Sequence, residues 1–124
     1  MVAGWFAAGA AMAGLGVLLG AFGAHGLRER IAPDLLAVYD TGIRYHLIHA
    51  LALLAVAWAA ERWSNAWVGA AGWLFVAGIV VFSGSLYLLA VTGTRWLGAI
   101  TPIGGLCFLA GWAALTAGVL RAGG

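Results

Sequence analysis

Charge is scarce in this sequence. Of its 124 residues only 8% are Asp, Glu, Lys or Arg, against 65% hydrophobic, and the mean hydropathy is +1.04. An ordinary soluble domain carries about a quarter charged residues. This chain therefore cannot cover itself with a water-compatible surface, and its solvent must be largely lipid. The basic residues are six arginines, which with four acids leave a net charge of +2. No basic cluster interleaved with aromatics is present, which removes nucleic acid from the candidate partners. The one cysteine, Cys107, lies inside an apolar run. It can form no disulfide within the chain and has no Cys-x-x-Cys partner for metal or redox chemistry, so it reads as a buried structural thiol.

What the chain has instead is long apolar runs. About twenty apolar residues cross roughly 30 Å of hydrocarbon as a helix. Lipid cannot satisfy loose backbone groups, so spans must be helices or a closed barrel. Barrel strands show short alternating segments, whereas these runs are long and continuous. The expected fold is all-α: an integral membrane four-helix bundle in one domain, with spans at about 3–24, 41–60, 66–91 and 97–120. Ala21-Phe22-Gly23 faintly resembles a signal cleavage site. The segment lacks a basic n-region and its apolar stretch is too long for a usual signal, so it reads as a retained helix.

The first loop has structure of its own. Pro33 suits a first helical position and Asp34 complements the helix dipole. Leu35, Leu36, Tyr39 and Ile43 recur at helical spacing. The spacing predicts a short amphipathic helix over about 33–40, lying at the membrane interface and leading into the second span. Asp40 and Arg44, at i,i+4 with the acid first, are placed to pair. Four spans put both termini on one side. The loop-one and loop-three side holds Arg28, Arg30, Arg44 and Arg95; the other holds Arg62 and Arg121. The positive-inside rule places those two loops in the cytoplasm and the termini in the periplasm.

Glycine is abundant, at 20 residues, and in membranes small residues let helices approach closely. Gly9, Ala13, Gly16, Gly20 and Gly23 form a packing seam along the first span, and Ala110, Ala114 and Gly118 offer a similar face on the fourth. These surfaces can join helices of one chain or of neighbouring copies, so a homo-oligomer or a place in a larger membrane complex is expected.

Intramembrane polar groups are costly and usually face protein, water or a partner. His25 ends the first span, and His46 and His49 open the second. Ser83, Ser85 and Tyr87 close the third, and Thr101 opens the fourth. With Arg44 they form a candidate binding cluster, roughly 5–12 Å below the loop-one interface by helix rise. The opposite half of the bundle is nearly pure Ala, Leu, Val, Gly and Trp. His46 and His49 share a helix face and could ligate metal or haem with His25. However, no carboxylate joins them and no Cys-x-x-Cys-His motif is present. Ser83 and Ser85 lie outside any Gly-x-Ser-x-Gly elbow and lack a catalytic acid. No cofactor and no catalytic residue are expected. Thr101-Pro102 with Gly104-Gly105 reads as a packing kink at the start of the fourth helix.

Four stretches look familiar: Gly20-Ala21-Phe22-Gly23-Ala24-His25, Arg44-Tyr45-His46 to His49-Ala50-Leu51, Phe82-Ser83-Gly84-Ser85-Leu86-Tyr87 and Thr101-Pro102-Ile103-Gly104-Gly105. In this order the chain resembles, over nearly its whole length, the domain of unknown function 423 family of small bacterial inner-membrane proteins, whose animal relatives are called transmembrane protein 256. The resemblance implies four membrane helices and a bacterial cytoplasmic-membrane location, and it supplies no mechanism. Asp40, in Tyr39-Asp40-Thr41, stands where the family pattern has Glu. The functional expectation is a non-enzymatic oligomeric scaffold or accessory subunit. The alternatives are binding or transport of a small polar solute, ion or lipid headgroup at the polar level, and a metal or haem redox protein.

Overall fold

The computed structural model describes residues 2–123. Four helices long and apolar enough to cross a membrane succeed one another: α1 (Val2–Leu27), α2 (Pro33–Arg62), α3 (Ala66–Thr92) and a fourth over Arg95–Ala122. Within the last, a 3-10 turn at Arg95–Ala99 precedes the α-helix proper, α4 (Thr101–Gly123). No strand occurs among the described residues. The result is an all-helical membrane four-helix bundle.

One boundary differs from expectation. Residues 33–40 are helical but form no separate interfacial element; they are the first turns of an unbroken α2 of 30 residues. Ala32 is extended (ψ 149°), as the residue before a proline prefers, and Pro33 begins the helix. From there to Arg62 no proline interrupts, so backbone hydrogen bonding runs on regardless of the change from amphipathic to apolar faces. At its end α3 stops at Gly93, whose φ of 71° lies in the left-handed region that glycine enters freely; its N–H bonds Leu89 at 2.8 Å. α3 begins under Asn65, whose Oδ1 accepts the Val68 N–H at 3.2 Å while its Nδ2 donates to the Gly118 carbonyl at 2.9 Å. One side chain therefore caps α3 and ties it to the end of α4.

The packing is layered. α1 lies along α2, α4 lies along α3, and α2 and α3 are the more buried central pair. Glycines set both outer contacts. A Cβ on Gly9 would sit 2.8 Å from the Ala50 carbonyl oxygen, and one on Gly16 would meet Leu47 Cδ2 at 2.6 Å. Gly23 lies against the Tyr39 ring, and Gly20 faces Ile43. The seam of α1 is thus occupied inside the chain. On α4, Gly104, Gly111 and Gly118 face Phe82, Phe75 and Val68 in the same way. The main core joins Trp5, Leu53, Val56, Val68, Phe75, Ile79 and Phe108. A smaller cluster joins Leu27, Tyr39 and Ala90 at the other end. Leu15, Leu18 and Phe22 on α1, and Ile103, Leu106 and Leu109 on α4, stay exposed. In water such faces would be a liability, whereas in a bilayer they are the surface offered to lipid or to another helix.

Two short π-helical turns interrupt the helices, at Gly23–Leu27 in α1 and Ile79–Ser83 in α3. The second lies where α3 bears on both α2 and α4. A π turn holds one extra residue and rotates the next stretch of helix about its axis. It carries Ser83 to one flank of the helix, against α2, and precedes Ser85 on the other, against α4.

Candidate functional site

The polar side chains of the membrane interior form contacts between helices, each with its own partner. His46 is 2% exposed and lies between three helices. Its Nε2 is 2.8 Å from the Met12 carbonyl in α1, and its Nδ1 is 2.8 Å from the Tyr87 hydroxyl in α3. A carbonyl only accepts, so Nε2 carries the proton and Nδ1 accepts from Tyr87. His49 has the opposite tautomer. Its Nδ1–H donates to the Tyr45 carbonyl at 2.8 Å, one turn back, and its Nε2 accepts the Trp112 indole N–H at 3.0 Å. Its ring stacks on Phe108 with centroids 3.6 Å apart and is flanked by Phe75.

The hydroxyls behave alike. Ser83 donates to the Gly42 carbonyl at 2.7 Å, joining α3 to α2. Ser85 and Thr101 share a 2.6 Å hydrogen bond joining α3 to α4. Tyr39 donates to the Leu19 carbonyl, joining α2 to α1. No buried side-chain nitrogen or oxygen among the described residues lacks a partner. In hydrocarbon an unsatisfied polar group costs several kcal/mol, so each bond holds a pair of helices at one rotation and register.

Of the residues singled out from sequence, His46, His49, Ser83, Ser85, Tyr87 and Thr101 lie between helices, distributed over separate contacts. His25 and Arg44 are exposed and join none of them. The Asp40–Arg44 pair does not form. The ion pair among the described residues is instead Arg95–Asp34, 3.2 Å apart and exposed, linking the third loop to the start of α2. Both acid and base at i,i+4 are free to rotate into water, whereas Asp34 has a partner brought beside it by the fold. Cys107 is half-buried, less enclosed than its apolar run implied. Both ring nitrogens of His46 and His49 are engaged, and no group of three or more His, Cys, Asp or Glu converges among the described residues. Sequence reasoning missed Tyr39, Met12, Asn65 and Trp112 as partners. Only Trp112 carried a signal, as an indole N–H deep in a span that needs an acceptor.

Two hollows lie toward the end of the molecule that carries the termini. A groove of about 420 Å³ between α1 and α3 is lined by Gly4, Trp5, Ala8, Ala11, Met12, Trp73 and Val76. A second, of about 430 Å³, is lined by Trp58, Glu61, Arg62 and Trp63 at the end of α2.

This architecture defines a polytopic helical membrane protein whose buried polar side chains are hydrogen-bonded between its own helices. The model of the family described as "Protein of unknown function (DUF423)" matches residues 19–105, and the chain belongs to that family. It is 54% identical over 105 residues to UPF0382 membrane protein YwdK of Bacillus subtilis, covering 84% of this chain and 85% of that one. It is 46% identical over 115 residues to UPF0382 membrane protein SSP2132 of Staphylococcus saprophyticus, covering 91% and 93%. To UPF0382 inner membrane protein YgdD of Escherichia coli K12 it is 41% identical over 105 residues, covering 85% and 80%. No solved structure matches the chain. The protein is a membrane protein of a family without an assigned function.

Proposed function

We propose that this protein is a non-catalytic scaffold or accessory subunit of the bacterial inner membrane, working through contacts with copies of itself or with other membrane helices. One observation carries the reading: the polar side chains buried inside the bundle are taken up between the chain's own helices, while the outer faces of α1 and α4 stay apolar and uncovered. A bundle so stitched presents helix faces rather than a reactive centre. The arginine balance supports termini in the periplasm and loops one and three in the cytoplasm. Solute or ion binding at the polar level is the weaker reading, since each buried donor and acceptor there already has a partner.

The test is single-molecule photobleaching of a C-terminally tagged chain in native-membrane nanodiscs, with partner identification by mass spectrometry. Discrete multimers, or a stoichiometric second protein, are expected. Single bleaching steps with no stoichiometric companion would overturn the proposal.

A further inference from the structure

The end of α2 carries an arrangement the bundle itself does not use. Trp58 and Trp63 meet edge to face, with centroids 5.2 Å apart and planes at 80°. The Arg62 guanidinium carbon lies 5.2 Å from the Trp58 ring centroid and 5.6 Å from that of Trp63. Stacking engages the faces of a guanidinium and leaves its N–H edge free for an anion. Glu61 lines the same hollow. Neither Glu61 nor Arg62 has an ion-pair partner among the described residues. An unpaired acid and an unpaired, pre-oriented base thus stand side by side where the apolar part of α2 ends.

The surface below is equally specific. Leu51, Ala55, Trp58 and Arg62 fall at i, i+4, i+7 and i+11 on one face of α2, and all four are exposed. This stripe runs about 16 Å from Arg62 into the membrane, by helix rise. A ligand that fits both parts has a phosphate for Arg62, an ammonium for Glu61, and a hydrocarbon chain for the stripe.

We propose that the Trp58–Glu61–Arg62–Trp63 hollow binds the headgroup of a zwitterionic aminophospholipid of the phosphatidylethanolamine type, with an acyl chain lying along α2. A purely anionic headgroup meets repulsion from Glu61 without a compensating cation. A quaternary headgroup has no N–H to give Glu61, and Arg62 already occupies the indole faces. Arg121 provides an internal control: it stacks on Trp67 at 5.2 Å but has no acid beside it in sequence.

The experiment reconstitutes the full chain in nanodiscs of equal parts phosphatidylethanolamine and phosphatidylglycerol and counts co-isolated lipids by native mass spectrometry. Wild type should retain phosphatidylethanolamine over phosphatidylglycerol by about threefold to fivefold, the scale of an exposed ion pair. Glu61→Gln should bring that ratio to about one, the value set by losing that pair. Arg62→Gln should lose both lipids, and Arg121→Gln should keep the wild-type preference. All the altered side chains are exposed, so unchanged thermal midpoints will show that the variants fold. A wild-type ratio equal to that of the disc, or a preference that survives Glu61→Gln, overturns the proposal. Displacement of the lipid by an equimolar amount of soluble glycerophosphoethanolamine would equally overturn it, because the acyl chain along α2 would then add nothing to binding.

Discussion

Gly104 and Gly105 are neighbours in α4, yet alanine at the two positions should have opposite consequences. A Cβ on Gly104 would lie 2.7 Å from both Cα and Cβ of Phe82, in the π turn of α3. Carbon atoms prefer about 3.5–4.0 Å, so the overlap is about 1 Å and involves backbone that cannot rotate aside. α4 must move off α3, and the close contacts of Gly111 with Phe75 and of Gly118 with Val68 loosen with it. Overpacking costs about 1–3 kcal/mol, and a clash with backbone belongs at the upper end, near 3 kcal/mol. A Cβ on Gly105 finds its nearest neighbour, Phe82 Cδ2, at 3.9 Å, an ordinary contact. Gly105→Ala should be neutral or slightly stabilising, because alanine is the better helix former by up to about 1 kcal/mol. The two variants can be compared by SDS titration from mixed micelles, monitored by tryptophan fluorescence and far-ultraviolet circular dichroism. A gap of about 3 kcal/mol is expected. Equal transitions, within about 0.5 kcal/mol, would refute the packing assigned to the α3–α4 contact.

A double-mutant cycle of His46→Phe with Tyr87→Phe should show coupling of about 0.6–1.7 kcal/mol, the range of inter-helix hydrogen bonds in membranes. Coupling indistinguishable from zero removes that bond. Nitrogen-15 NMR of the imidazoles should report His46 protonated at Nε2 and His49 at Nδ1; identical tautomers would contradict the carbonyl partners from Met12 and Tyr45. Asp34→Asn should lower the unfolding transition only slightly and lose that effect in high salt, since the pair with Arg95 is exposed. A salt-independent loss would assign Asp34 a role other than pairing.

Much of the architecture is legible in the sequence because it depends on sums along the chain. A long apolar run must be a helix in lipid whatever its neighbours, and four such runs are visible without coordinates. The extent of α2 is not legible. A change from amphipathic to apolar composition at Thr41 reads as an element boundary, but the backbone ladder responds to proline and glycine rather than to which faces are wet. Arg44 misleads for a related reason: i,i+4 spacing permits a pair with Asp40 without compelling it, and nothing in the fold holds the two side chains together.

The polar residues divide in the same way. Their identity and their position along each span come from the chain itself. Their partners do not. His49 reaches Trp112 across 63 residues, His46 reaches the Met12 carbonyl across 34, and Ser83 reaches the Gly42 carbonyl across 41. Hydropathy is a property of each residue and can be summed from sequence. A hydrogen-bond partner depends on the rotation and register of two helices, set here by where Gly9, Gly16, Gly104 and Gly111 let the helices close. The sequence by itself therefore determined a four-span membrane bundle. Tertiary packing alone decided that His46, His49 and the buried hydroxyls are joints between helices, and that Arg62 lies over a packed pair of indoles beside Glu61 at the end of α2.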